Sequence, residues 1–131
     1  MKTLIVEDDL ISRMLMQELL KSFGLAHVAV NGEEAVKAVR LALMTDDPYH
    51  LVCLDIMMPG LDGQQALRMI RQMEQDRGIQ TSDGSKIIMT TALDDSENKI
   101  GAFSGLCDGY LTKPIEKEKL LNELHRLKLI S

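Results

Sequence analysis

Hydrophobic positions along this chain alternate between two periods. Short apolar runs rich in β-branched residues occur at Thr3–Val6, Leu25–Val30, His50–Leu54, Lys86–Thr90 and Cys107–Leu111. Between them, apolar residues recur at helical spacing. Ile11, Leu15, Leu19 and Phe23 step by four; Val36, Val39 and Leu43, then Leu67, Ile70 and Met73, then Leu120, Leu124 and Leu127 form further stripes. A weaker helix, about Ser96–Ser104, rests on Ile100 and Phe103 and is interrupted by Gly101. A glycine inside a helix costs about 1 kcal/mol relative to alanine. This helix is therefore predicted to be the least stable of the five, with lower amide-exchange protection than Ile11–Leu20. Alternation of strand and helix predicts βα units around a parallel sheet. The runs Thr3–Val6 and Leu51–Leu54 are continuously apolar, as strands covered on both faces must be.

Local punctuation supports these boundaries. Asn31 with Glu34, Asp62 with Gln65, and Asp94 with Glu97 each set a capping side chain three residues before Glu or Gln. Asp9 reads as a helix-start residue and Gly24 as the residue just past the first helix. Asp46-Asp47-Pro48 reads as a turn. Thr45–Tyr49 and Asp76–Ser85 read as mobile connections. With no repeat or interdomain linker, residues 1–131 are expected to form one domain. The last helix runs almost to Ser131, so no output domain is expected in this chain, and Met1 directly before the first strand favours a true amino terminus.

Composition narrows the function. A 45% hydrophobic fraction suffices for a core, yet there are two Phe, two Tyr and no Trp, so nine Met and the aliphatic residues are expected to fill it. The net charge of −5 argues against binding nucleic acid, which needs a basic patch. The apolar runs are far shorter than the ~20 residues of a membrane span, and none resembles a signal-peptide core. Cys53 and Cys107 lie inside apolar runs without metal-binding spacing, which predicts two buried free thiols and a cytoplasmic protein. His27, His50 and His125 form no cluster.

Polar residues then fall at the carboxyl ends of the predicted strands, where open parallel sheets bind ligands. Glu7 and Asp8 follow the first strand, Asp55 the third, Thr90 and Thr91 the fourth, and Lys113 the fifth. The second strand ends on Val30-Asn31, which capping explains, so that strand is placed at a sheet edge. Three carboxylates make a hard oxygen site suited to Mg²⁺. A carboxylate can also attack phosphorus to give an acyl phosphate, with a metal, a lysine and a threonine hydroxyl neutralising the phosphoryl oxygens.

Val6-Glu7-Asp8-Asp9, Leu54-Asp55-Ile56-Met57-Met58-Pro59-Gly60-Leu61-Asp62-Gly63, Met89-Thr90-Thr91-Ala92 and Tyr110-Leu111-Thr112-Lys113-Pro114 resemble, in order, the motifs of bacterial two-component response-regulator receiver domains of the single-domain, chemotaxis-regulator kind. The resemblance spans essentially the whole chain. It implies a flavodoxin-like doubly wound (βα)5 fold, with a five-stranded parallel sheet of order 2-1-3-4-5 and helices on both faces. It implies that Asp55 is the phosphoacceptor. Asp8, Asp55 and the Met57 main-chain carbonyl would bind Mg²⁺ directly, with Mn²⁺ a chemical substitute, and Glu7 would reach the metal through water. Thr91 would be the switch hydroxyl, Lys113 the phosphate-pairing lysine beside an often cis Pro114, and Tyr110 the aromatic that follows the switch. A histidine kinase or histidine phosphotransfer protein would be the phosphodonor. A downstream protein, or a second copy of the chain, would meet the face of the fourth and fifth predicted helices and the fifth strand. The chain is thus expected to be a signalling switch in a phosphorelay rather than a turnover enzyme.

Two other functions compete. A phosphorylation-independent docking module would lack the acceptor, a metal carboxylate or the lysine, and none is missing. A phosphohydrolase would normally supply a general acid–base beside the nucleophile, but Asp55 is followed by Ile56-Met57-Met58. Met57 and Leu93 are apolar and would not orient an attacking water, which predicts slow loss of the phosphoryl group.

Overall fold

The computed structural model describes residues 1–92 and 106–131. The chain runs β1 (Thr3–Val6), α1 (Leu10–Leu20), β2 (Ala26–Ala29), α2 (Gly32–Met44), β3 (Leu51–Asp55), α3 (Gly63–Asp76), β4 (Lys86–Thr91), β5 (Gly109–Thr112) and α4 (Lys117–Arg126). The predicted helix at Ser96–Ser104, with Gly101 and the neighbouring Leu93 and Asp94, lies outside the described residues. All strands pair in parallel in the order β2-β1-β3-β4-β5. This is the flavodoxin-like order expected, with β2 at one edge.

Side-chain alternation along the strands divides the core into two layers. Leu4, Val6, Val52, Leu54, Ile87 and Met89 face α2 and α3, where Val36, Val39, Leu67 and Ile70 are buried. Ile5, Leu51, Cys53 and Ile88 face α1 and α4, where Met16, Leu20, Leu120 and Leu124 are buried. Both β1 and β3 are buried along their whole length, as their unbroken apolar runs require.

The predicted caps at Asn31 and Asp62 hold. The Asn31 side chain accepts the Glu34 N–H at 2.8 Å. Asp62 and Gln65 form a reciprocal capping box, at 2.9 and 3.0 Å, that starts α3 immediately after the loop that follows Asp55.

Several expectations are corrected. The α1 stripe is misassigned: Ile11 is 73% and Leu15 40% exposed, while Met16 and Leu20 fill the core. A run of apolar residues on both sides of α1 made either face plausible, and only the sheet decides which is covered. Gly24 does not directly follow α1, which ends at Leu20. It follows a 3-10 turn at Lys21–Phe23 with φ 131°, and a Cβ there would stand 2.2 Å from the Met1 carbonyl oxygen. Methionine is not uniformly core filler, since Met14, Met44, Met57 and Met69 are exposed. Cys53 is buried, with its thiol pushed up to about 12 by burial, whereas Cys107 is only half-buried. The connections Thr45–Tyr49 and Asp76–Ser85 meet at their ends, where the Ser85 hydroxyl donates to the Tyr49 carbonyl at 2.7 Å and the Ser85 N–H to the Glu74 carboxylate at 2.8 Å.

Candidate functional site

Parallel pairing places the ends of β1, β3, β4 and β5 along one edge, and the polar residues that follow them converge there. Asp55 is the last residue of β3, the central strand, and lies in register with Thr90. Glu7 and Asp8 follow β1, and Lys113 follows β5. Carboxylate oxygens of Glu7, Asp8 and Asp55 all lie within 4.8 Å of one another. Glu7 and Asp55 are each only 3% exposed, whereas Asp8 faces solvent.

Lys113 bridges the two buried acids. Its Nζ is 2.5 Å from Glu7 Oε1 and 3.2 Å from Asp55 Oδ2. Burial raises the Glu7 carboxyl, the Lys113 hydrogen bond draws it part of the way back, and the Asp55 charge adds to the rise. Burial works against the Lys113 ammonium too, but the Glu7 and Asp55 carboxylates outweigh it and leave its pKa raised, so the lysine stays cationic. The remaining contacts set the orientation of these groups. The other Glu7 oxygen accepts the Asp9 N–H at 3.2 Å, and the Glu7 carbonyl accepts from Arg13 at 3.0 Å. Asp55 Oδ1 accepts the Met57 N–H at 3.2 Å. Asp9 caps α1 by accepting the Ser12 N–H at 2.9 Å, so it serves the helix rather than the acid cluster.

The donor set fits a small hard divalent cation. Three carboxylates converge against one ammonium, leaving negative charge that Mg²⁺ would offset while keeping part of its water shell. When bound, the ion would supply charge neutralisation for a phosphoryl group. Asp8 and Asp55, with the Met57 carbonyl, would hold it, and Glu7 would act from behind.

Thr91 is fully buried at the end of β4, and its hydroxyl donates to the Ala92 carbonyl at 3.3 Å rather than to the acid cluster. Tyr110 on β5 is 49% exposed and faces outward. The Lys113–Pro114 bond is cis, as the resemblance implied. Beside the acids, between α1 and the turn before α4, lies a mostly apolar cavity of about 170 Å³ lined by Ile11, Leu15, Met16, Cys53, Pro114 and Ile115.

Sequence reasoning missed two features of this region. It did not anticipate the direct Glu7–Lys113 pair, nor that Glu33 in the first turn of α2 accepts the Leu61 N–H at 3.0 Å across the loop that follows Asp55. The available signal was Glu33-Glu34, one acid more than a capping box uses.

Comparison with known proteins agrees with this geometry. Residues 3–125 match the family model described as the response regulator receiver domain. The chain is 37% identical over 123 residues to the two-component response regulator ORR41 of Oryza sativa subsp. japonica, covering 91% of this chain and 87% of that protein. It is 34% identical over 120 residues to the sensor histidine kinase GacS of Pseudomonas protegens; that match covers 91% of this chain but spans only 12% of the kinase. Among solved structures, the receiver domain of the sensor histidine kinase PA1611 of Pseudomonas aeruginosa, with a magnesium ion in its active-site cleft, superposes with a TM-score of 0.75 at 26% identity, covering 96% of this chain and 95% of that one. The yeast phosphotransfer protein Ypd1 with the receiver domain of Ssk1 (Saccharomyces cerevisiae) gives 0.79 at 29% identity, covering 97% and 88%. With its fold, its acid cluster and its matched residues in agreement, this chain belongs to the response regulator receiver domain family of two-component signalling.

Proposed function

We propose that Asp55 accepts a phosphoryl group from a phosphohistidine on a sensor kinase or histidine phosphotransfer protein. A carboxylate oxygen of Asp55 attacks phosphorus, the bond from phosphorus to the imidazole nitrogen breaks, and the imidazole leaves and takes up a proton. Asp8, Asp55 and the Met57 carbonyl hold Mg²⁺ in this reading, Glu7 supports them, and Lys113 steadies the phosphoryl oxygens. Mn²⁺, with similar oxygen preference, would substitute. The observation that carries the reading is Asp55 itself: buried at the end of the central strand, 3.2 Å from a lysine and within 4.8 Å of two further carboxylates.

Phosphorylation acts through the difference it makes to two states. Thr91 leaves the Ala92 carbonyl for the phosphoryl group, and Tyr110, now exposed, repacks inward. The surface of β5 and α4, where Tyr110, Lys119 and Glu123 border a shallow groove, then meets a downstream protein or a second copy of the chain differently. In this reading the chain acts in the cytoplasm as a signalling switch rather than a turnover enzyme. The phosphodonor docks on α1, whose Leu10, Ile11, Met14 and Leu15 are exposed beside the acid cluster.

Acetyl phosphate tests the chemistry directly. Labelling is expected to require Mg²⁺ and to vanish in Asp55→Asn. Labelling that survives in Asp55→Asn would remove Asp55 from its role, and labelling that proceeds after chelation of divalent cations would remove Mg²⁺ from the reaction.

A further inference from the structure

Helix α2 begins against the loop that follows Asp55. Its first residue, Gly32, is buried, and a Cβ there would stand 2.1 Å from the Leu61 carbonyl oxygen. Gly60 turns the loop with φ 76°, and a Cβ there would stand 3.1 Å from Glu33 Oε1. That same oxygen accepts the Leu61 N–H at 3.0 Å. Two glycines thus let α2 and the loop approach, and Glu33 joins them.

An acid in the first turn of a helix usually complements the helix dipole or closes a capping box. Here Glu34 serves the start of its own helix, accepting the Val30 N–H at 3.0 Å while its own N–H donates to the Asn31 cap. Glu33 turns away from its helix to a different segment. That segment, residues 56–62, is already fixed at its start, where the Ile56 N–H donates to the Thr90 carbonyl at 3.0 Å and the Met57 N–H to Asp55. At its end, the Gly63 N–H returns to the Ile56 carbonyl at 3.1 Å. Between these anchors, Leu61 is held from outside by Glu33.

We propose that Glu33 is a positioning residue for the metal site: through Leu61 it holds the loop in the form that sets the Met57 carbonyl beside Asp55. The inference rests on the reading of Asp55 and Met57 as metal ligands. Hydrogen-bonded supports behind metal ligands tune affinity. The Glu33 bond is exposed, so its effect on affinity is that of a single net hydrogen bond, roughly two- to tenfold.

Three substitutions separate reach from charge. Glu33→Gln keeps an acceptor oxygen at the same distance, Glu33→Asp keeps the charge but falls short, and Glu33→Ala removes both. Isothermal titration with Mg²⁺ alone and amide exchange at residues 57–61 provide two readouts. Glu33→Ala and Glu33→Asp are expected to weaken Mg²⁺ binding roughly two- to tenfold and to speed exchange in the loop, with Glu33→Gln close to wild type in both. Wild-type behaviour in Ala and Asp would overturn the proposal. So would a Gln variant as weak as Ala, which would assign the effect to charge. A wild-type protein that takes up no Mg²⁺ would instead overturn the metal reading, and the loop exchange rates would still show whether Glu33 restrains the segment.

Discussion

At the scale of single residues, environment divides side chains of one type into different tasks. The acids near the first strand show this. Glu7 is buried and paired with Lys113, Asp8 is exposed within the cluster, and Asp9 caps α1. Asp9 is held below its ordinary value of 3.8, first by the backbone N–H of Ser12. A carboxyl lowered on folding contributes stability that is present above its unfolded value and lost as pH falls through the folded one. Asn can cap as well as Asp but does not titrate. Thermal unfolding of Asp9→Asn should therefore fall less steeply than wild type as the pH drops below 3.8. Parallel curves for the two proteins would show that Asp9 contributes nothing to acid sensitivity.

At the scale of elements, α3 carries charges on its buried face. Leu67, Ile70, Arg71 and Glu74 follow the spacing of an apolar stripe, yet Arg71 and Glu74 are ionisable side chains, 3% and 1% exposed. The guanidinium meets Glu74 at 2.7 Å, Asp108 at 3.0 Å and the carbonyls of Leu106 and Ser85 at 2.7 and 2.9 Å. Asp108 in turn accepts the Ile87 N–H at 2.8 Å. One arginine therefore ties α3 to the starts of β4 and β5. Removing one partner of a buried pair strands the rest. Arg71→Ala should cost about 3–5 kcal/mol in urea unfolding; a loss within ~0.5 kcal/mol, as for an ordinary surface change, would show that water replaces the network freely.

At the scale of the whole molecule, the chemistry sits at the carboxyl edge of the sheet and the Arg71 network at the opposite edge, with the two core layers between. The exposed apolar residues of α1, Leu10, Ile11, Met14 and Leu15, belong to neither layer. Because Ile11 is 73% exposed, Ile11→Ser should leave stability within about 0.5 kcal/mol of wild type. If α1 receives the phosphodonor, this variant should take phosphate more slowly from a phosphorylated histidine phosphotransfer protein while its labelling by acetyl phosphate is unchanged. Equal slowing with both donors would mean that the substitution disturbs the acid cluster instead of docking.

Much of this was legible in the chain. Strand and helix positions follow from the two hydrophobic periods, because periodicity records which face of an element is covered. Asp55, Glu7, Asp8, Thr91 and Lys113 could be found because parallel strands deliver their carboxyl ends to one edge whatever the packing details. Tertiary structure alone decided what depends on neighbours distant in sequence. The sheet chose Met16 and Leu20 over Ile11 and Leu15. Lys113 came closer to Glu7 than to Asp55, although β1 and β5 lie on opposite sides of the central pair β3 and β4. Arg71 became a buried anchor and Glu33 a clamp on Leu61, since a polar residue's partner is set by the fold and leaves no period in the sequence.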